Sequence, residues 1–229
     1  MIKKLLLCLA LVSLTAAACP AADTAPGTKR RGQFALTFDD GPGYITGDLL
    51  KLLEKRGVKA TFFMLGSSVR ADPAMAKKVH DAGHLVANHT DTHKNWFKTG
   101  RAGDREKVFL SEVKKAEEAI VKATGEKPSV LRMPNGYTAP WVREAAKKLG
   151  YRTANWSYGS DWTRTPEDRM TAEYVKSVRT GKVLLLHDGG GKNREKTLRI
   201  TEAVLNEAQR LGLEPVRLDV LLKGPDPKE

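Results

Sequence analysis

From Gln33 onward, short apolar runs alternate with stretches of helical periodicity. The runs at 33–38, 60–65, 84–88, 129–132, 152–156, 182–187 and 213–216 have strand length and polar or glycine-rich boundaries. Helices are expected between them. One covers 46–56, with Leu49, Leu52 and Leu53 on one face and Gly57 as its stop. Another starts at Asp72-Pro73, an N-cap with proline in the first turn, and closes at Gly83. Others cover 105–124, the stretch from Thr138 and Pro140 to Gly150, the stretch after Thr165-Pro166, and 194–211 before Gly212. The unbroken apolar run Val183-Leu184-Leu185-Leu186 suits a strand covered on both faces. Seven strands alternating with helices predict an α/β architecture with a parallel sheet, and the count suggests a barrel.

The ends change the picture little. Residues 1–18 combine a basic start, Lys3 and Lys4, with an apolar stretch and small residues, the pattern of a secretory signal peptide. No later segment approaches membrane-spanning length, so a secreted or periplasmic protein without a membrane span is expected. Cys8 and Cys19 are the only cysteines, which leaves the folded part without a disulfide or thiolate metal site. Cys19 follows Ala16-Ala17-Ala18 and is a candidate for a lipid anchor, although Ala16 stands where such signals usually carry Leu. Residues 19–32 form a linker, 33–222 a single domain large enough to bury its own core, and 223–229 a tail. Two of the +12 formal charges, Lys3 and Lys4, leave with the leader, so +10 remain. In an exported monomer this favours anionic envelope polymers. Nucleic acid is not expected, because the basic residues are spread along helices rather than clustered with aromatics.

The candidate chemistry sits at strand ends. Thr37-Phe38-Asp39-Asp40-Gly41-Pro42-Gly43 places two carboxylates after the first strand and before a turn. Adjacent like charges raise each other's pKa, a cost that a cation removes. The stretch is therefore either a metal ligand beside a general base or a surface turn of common turn residues. His89-Thr90-Asp91-Thr92-His93 puts two imidazoles four residues apart, on one face if helical, a common way to present nitrogens to Zn²⁺. With Asp40 they make two histidines and a carboxylate with a position left open. His187 in His187-Asp188-Gly189-Gly190-Gly191 can be a general acid or a hydrogen-bonded strand-end histidine. Arg132, before Met133-Pro134-Asn135-Gly136, can hold a carboxylate ionised or be an ordinary buried arginine. These groups and Asp161-Trp162 all fall at or just past the C-terminal ends of expected strands, where parallel barrels carry active sites.

Taken in order, these motifs and Leu185-Leu186-His187 resemble those of the NodB-homology polysaccharide deacetylases, carbohydrate esterase family 4, over residues 33–220. The resemblance implies a deformed (β/α)7 barrel and hydrolysis of N-acetyl groups on an N-acetylglucosamine-containing polysaccharide such as peptidoglycan or a chitin-like glycan. It implies that Asp39 is the base acting on a metal-bound water, and that Asp40, His89 and His93 bind a divalent metal, zinc before cobalt or nickel. Arg132 would orient Asp39, and His187 would protonate the leaving amine. Trp162 and Leu185 would line the acetyl methyl pocket, and the backbone N–H of Asn135 would meet the oxyanion.

Two departures stand out. Asn135 occupies a position that is often aromatic. Tyr158 stands where the fourth motif usually has its first aspartate, which leaves Asp161 as only a candidate partner for Arg132. Tyr44, Trp96 and Phe97 lie in loops at the expected active face and are candidates to stack on sugar rings. The alternatives are an O-acetyl esterase or small-amide hydrolase using the same site, or a glycan-binding module without turnover.

Overall fold

The computed structural model describes residues 32–98, 102–191 and 194–223. The leader, the two cysteines and the tail after Lys223 lie outside the described residues, and with them the expectations of cleavage and lipidation.

Strand β1 (Gln33–Asp39) is the centre of the sheet, and six of its seven residues are buried. It runs parallel to β2 (Thr61–Met64) on one side and β7 (Val183–His187) on the other, with Asp39 level with His187. The sheet continues from β2 through β3 (Leu85–Asn88) and β4 (Val130–Leu131) to β5 (Arg152–Thr153). Beyond β7 it ends on β6 (Tyr158–Gly159), while β8 (Glu214–Val216) pairs with the start of β1. All these pairings are parallel. The strands curve into a half-barrel surrounded by helices, and their C-terminal ends share one face.

The helices follow the apolar periodicity. They are α1 (Thr46–Lys55), α2 (Gly66–Ala71), α3 (Pro73–Asp81), α4 (Ala102–Thr124), α5 (Pro140–Lys148), α6 (Glu167–Lys176), α7 (Glu195–Leu211) and α8 (Leu218–Lys223). The Asp72 side chain accepts from the N–H of Met75 (2.9 Å) and caps α3. Leu49 and Leu53 of α1 and Ile200 and Val204 of α7 pack with Phe34, Leu36 and Phe38 in the main core. A second apolar cluster, around Trp96, Phe109 and Val142, lies under α4 and α5.

The strand expected over 152–156 is shorter than that span, and a further strand follows it. Instead of running over 152–156, the chain makes β5 and β6 at opposite ends of the sheet. Residues 154–157 cross between them, tied by the N–H of Ala154 to the Leu131 carbonyl (3.0 Å) and that of Ser157 to Val183 (2.8 Å). A connecting segment, not a strand pair, therefore bridges the barrel's open side. Its carbonyls need other partners.

Candidate active site

Asp39 ends β1 and Asp40 follows it at a positive φ of 72°. The glycines around this turn permit close approach to the loop after β7. A Cβ at Gly41 would stand 2.3 Å from Asp188 Oδ2, and one at Gly190 (φ +68°) would stand 2.2 Å from Asp40 Oδ2. Asp188 is buried, which pushes its carboxyl up to about 7 although Thr46 Oγ1 donates to it (2.6 Å).

Asp40, His89 and His93 converge, with one ligand atom from each within 4.8 Å of the others. Asp40 Oδ1 lies 3.4 Å from His89 Nε2 and 3.5 Å from His93 Nε2, and this buried oxygen has no hydrogen-bond partner among the described residues. His89 Nδ1 donates to the Arg132 carbonyl (2.8 Å), which leaves the Nε2 lone pair for the site. Burial pushes Asp40 up, but the adjacent His89 imidazole, with His187 and His93 behind it, holds it well below the usual carboxylate range. Burial pushes His93 down, and Asp40 only partly restores it. An orphaned carboxylate oxygen facing two imidazole nitrogens is a donor set suited to a divalent metal.

The two histidines are not on a helix. Residues 89–93 form an irregular turn with positive φ at Thr90 (69°) and His93 (54°). These backbone angles break the i, i+4 geometry, so the turn itself brings the rings together, their centroids 5.2 Å apart.

Arg132, wholly buried after β4, donates from Nη1 to Asp39 Oδ1 (2.7 Å) and to Thr37 Oγ1 (2.9 Å). Nη2 donates to the Asn155 carbonyl (3.1 Å), Nε to that of Ala154 (3.4 Å), and the guanidinium lies 4.0 Å from the Phe63 ring centre. The bridging segment thus finds its partner here. Asp161, the candidate partner of Arg132, is not among these contacts. Asp161 instead accepts from His187, from Nδ1 at 2.8 Å and from the backbone N–H at 2.9 Å. Burial pushes the His187 imidazole down, but Asp161, and behind it Asp39 and Asp40, push it up further, above its ordinary value. Tyr158, in the place of the missing aspartate, bonds Ser160 and packs edge-on against Tyr174 (4.9 Å).

Asp39, Asp40, His187, Trp162, Leu185 and Asn135 line a cleft of about 340 Å³. Trp162 is 49% exposed at the rim, 5.3 Å from the His187 ring, and Leu185 is buried beneath. Asn135 has a positive φ of 57°, which asparagine tolerates better than most residues. Tyr44 is exposed and accepts the backbone N–H of Arg194 (2.5 Å), outside the cleft lining. Trp96 is 0% exposed among Phe109, Tyr137 and Trp141, so it cannot stack on a sugar. Phe97 is 63% exposed, edge-on to Tyr137.

Two cleft residues escaped the sequence reading. Arg194, at the start of α7, donates to the Gly189 carbonyl (2.9 Å) and lies 3.5 Å from Asp161 Oδ2. Trp156 packs against Trp162, their centroids 6.2 Å apart. Nothing in the sequence marked either, since Arg194 is one of many basic helix residues.

The family described as polysaccharide deacetylase matches residues 27–154. The chain is 33% identical over 193 residues to a peptidoglycan-N-acetylglucosamine deacetylase of Bacillus cereus, covering 82% of this chain and 87% of that protein. It is also 33% identical over 192 residues to a chitooligosaccharide deacetylase of Bradyrhizobium sp., covering 78% and 85% respectively. The solved structure of a family 4 carbohydrate esterase from Streptomyces lividans, in complex with acetate, superposes with a TM-score of 0.71 at 30% identity, over 80% of this chain and 91% of that one. Among the described residues no helix is long and apolar enough to cross a membrane. With the half-barrel, the Asp-His-His cluster and these matches in agreement, the chain belongs to the polysaccharide deacetylase family of hydrolases, carbohydrate esterase family 4.

Proposed function

We propose that the protein is a metal-dependent deacetylase, exported to the cell envelope, that hydrolyses N-acetyl groups on an N-acetylglucosamine-containing polysaccharide, peptidoglycan or a chitin-like glycan. The observation that carries this reading is a pair of candidate proton-transfer groups in one cleft, each held by its own hydrogen-bonding partner. Asp39 is bound to a guanidinium and His187 to a carboxylate.

Arg132 fixes the Asp39 carboxylate so that it can take a proton from the attacking water. His187 holds its Nδ1 proton on Asp161, which leaves Nε2 to deliver a proton to the departing amine nitrogen. Asp40, His89 and His93 would hold the metal, zinc before cobalt or nickel, which supplies carbonyl polarisation and a more acidic water when bound. Trp162 and Leu185 would enclose the acetyl methyl group, and the Asn135 N–H would face the developing oxyanion. Homologues whose names specify peptidoglycan and chitooligosaccharide substrates support the amide reading.

The test is acetate release from peptidoglycan, chitin oligomers and acetylxylan at defined metal content. Release from the amide substrates is expected to stop on full chelation and to fall about 10²–10⁴-fold in Asp39→Asn. Turnover that survives either treatment overturns the mechanism, and release from acetylxylan alone moves the substrate to O-acetyl esters.

A further inference from the structure

We infer that Glu112 of α4 is a positioning residue for the metal site, its carboxylate setting the turn that brings His89 and His93 to Asp40. The inference rests on the metal-dependent reading above. Glu112 is buried, and its Oε2 accepts the backbone N–H groups of Asp91 (3.1 Å) and Thr92 (2.8 Å). Its Oε1 accepts from the Thr92 hydroxyl (2.8 Å) and lies 3.7 Å from Lys94 Nζ, on a half-exposed side chain. A buried carboxylate is unfavourable unless hydrogen-bonded, and this one is used up on three donors from two consecutive residues.

The position of those two residues makes the contact functional. They lie between Thr90 and His93, both at left-handed backbone angles, which the β-branched Thr90 adopts reluctantly. Such angles persist only where the surroundings over-determine them. The first half of the turn has other tethers. Asn88 Oδ1 accepts the Thr90 N–H (2.8 Å), and the Thr90 carbonyl accepts the Gly66 N–H (3.0 Å). The Asp91 carbonyl accepts the Ser67 N–H (3.0 Å), and the Asp91 side chain meets Arg70 at 2.7 Å. The second half leads directly into His93, and there the amides of Asp91 and Thr92 both end on Glu112. His89 is also anchored through Nδ1 on Arg132, so His93 is the ligand that depends more on the turn.

Glutamine can reproduce these contacts. Its amide oxygen can accept both N–H groups, and its NH₂ can donate to the Thr92 hydroxyl oxygen. Alanine cannot. Zn²⁺ titration of the apo protein, with a competing chelator to read the affinity, therefore separates the roles. Glu112→Ala is expected to bind Zn²⁺ about 10–100-fold more weakly, the usual cost of losing a group that orients a metal ligand. Glu112→Gln is expected to recover most of that loss. Leu53→Ala, in the main core far from these contacts, should lower the melting temperature and leave Zn²⁺ affinity unchanged.

Wild-type affinity in folded Glu112→Ala overturns the inference, as does an equal affinity loss in Leu53→Ala. If Glu112→Ala does not fold, Thr92→Val removes one of the three bonds and should weaken Zn²⁺ binding in the same direction. Unchanged affinity there is refuting. A wild-type protein that binds no divalent metal would instead bring down the metal-dependent reading itself.

Discussion

Replacing Arg132 with methionine keeps most of the buried stem and removes every hydrogen bond of the guanidinium. The consequences can be worked from its partners. Asp39 is left as a buried carboxylate without its cation, and breaking such a pair costs about 3–5 kcal/mol. Asp39 lines the open cleft rather than the sealed core, so the lower end applies. The carbonyls of Ala154 and Asn155 lose their donors at roughly 1 kcal/mol each. The total is about 4–6 kcal/mol, a large share of the ~5–15 kcal/mol that holds a domain folded. For a chain of this size that lowers the melting temperature by roughly 10–20 °C. Thermal melting in chelator isolates this from any effect of metal, and acetate release should fall about 10²–10⁴-fold alongside. Arg132→Lys restores a charge but not the planar fork, because one ammonium cannot reach Asp39 and two carbonyls together. It should melt between the other two. If Arg132→Met melts within about 3 °C of wild type, or Arg132→Lys cannot be told from wild type, the bridging role is refuted.

Asp161→Asn tests the other half of the cleft. The carboxylate is what raises His187 against burial, so the alkaline limb of the kcat profile should move to lower pH, and an unmoved limb refutes the pairing. The same raised pKa makes a contribution to stability that is fully present below the ordinary histidine value of 6.5 and is lost as pH rises through the folded value. Urea denaturation across that window should show the slope in wild type and less of it in the variant. Trp96→Ala should cost about 3–5 kcal/mol of stability, because the ring is core. A variant that kept its stability and lost only glycan affinity would restore the sugar-stacking role.

The strand ends were the most legible part of the chain, since a buried parallel strand is a continuous apolar run and its next residue is fixed by position. Asp39, His89, Arg132 and His187 could be placed that way. What could not be read follows from length and from backbone angles. Strands β5 and β6 have two residues each, too few to show any period, so the first is overestimated in length and the second is not visible in the pattern. Helices α2 and α8 have six residues apiece, less than two turns, and leave as little periodicity in the sequence. The histidine spacing suggested a helix because four residues make one turn, yet positive φ at Thr90 and His93 brings the rings together differently. Asp161 was legible as a site residue but not as the partner of His187, which only the register of β7 beside β6 reveals. Trp96 looked like a loop aromatic because the pattern around it is polar, while its neighbours in space come from α4 and α5.

The second apolar cluster sets up an unequal inheritance within the site. Met133 and Leu131 belong to it, Tyr137 packs on it, and a recess of about 260 Å³ that shares Met133 with the candidate active-site cleft opens along Met133, Tyr137 and Asn155. Val113, the residue after Glu112, is part of the same cluster and accepts from Asn88 through its carbonyl (3.0 Å). The strands that carry Asp39 and His187 stand instead on the main core, through Phe38 and Leu186. Substitutions that reshape this recess therefore also edit the ground on which the histidine turn rests. A change in that packing is expected to reach His89 and His93 before it reaches Asp39 and His187, whose strands rest on separate ground.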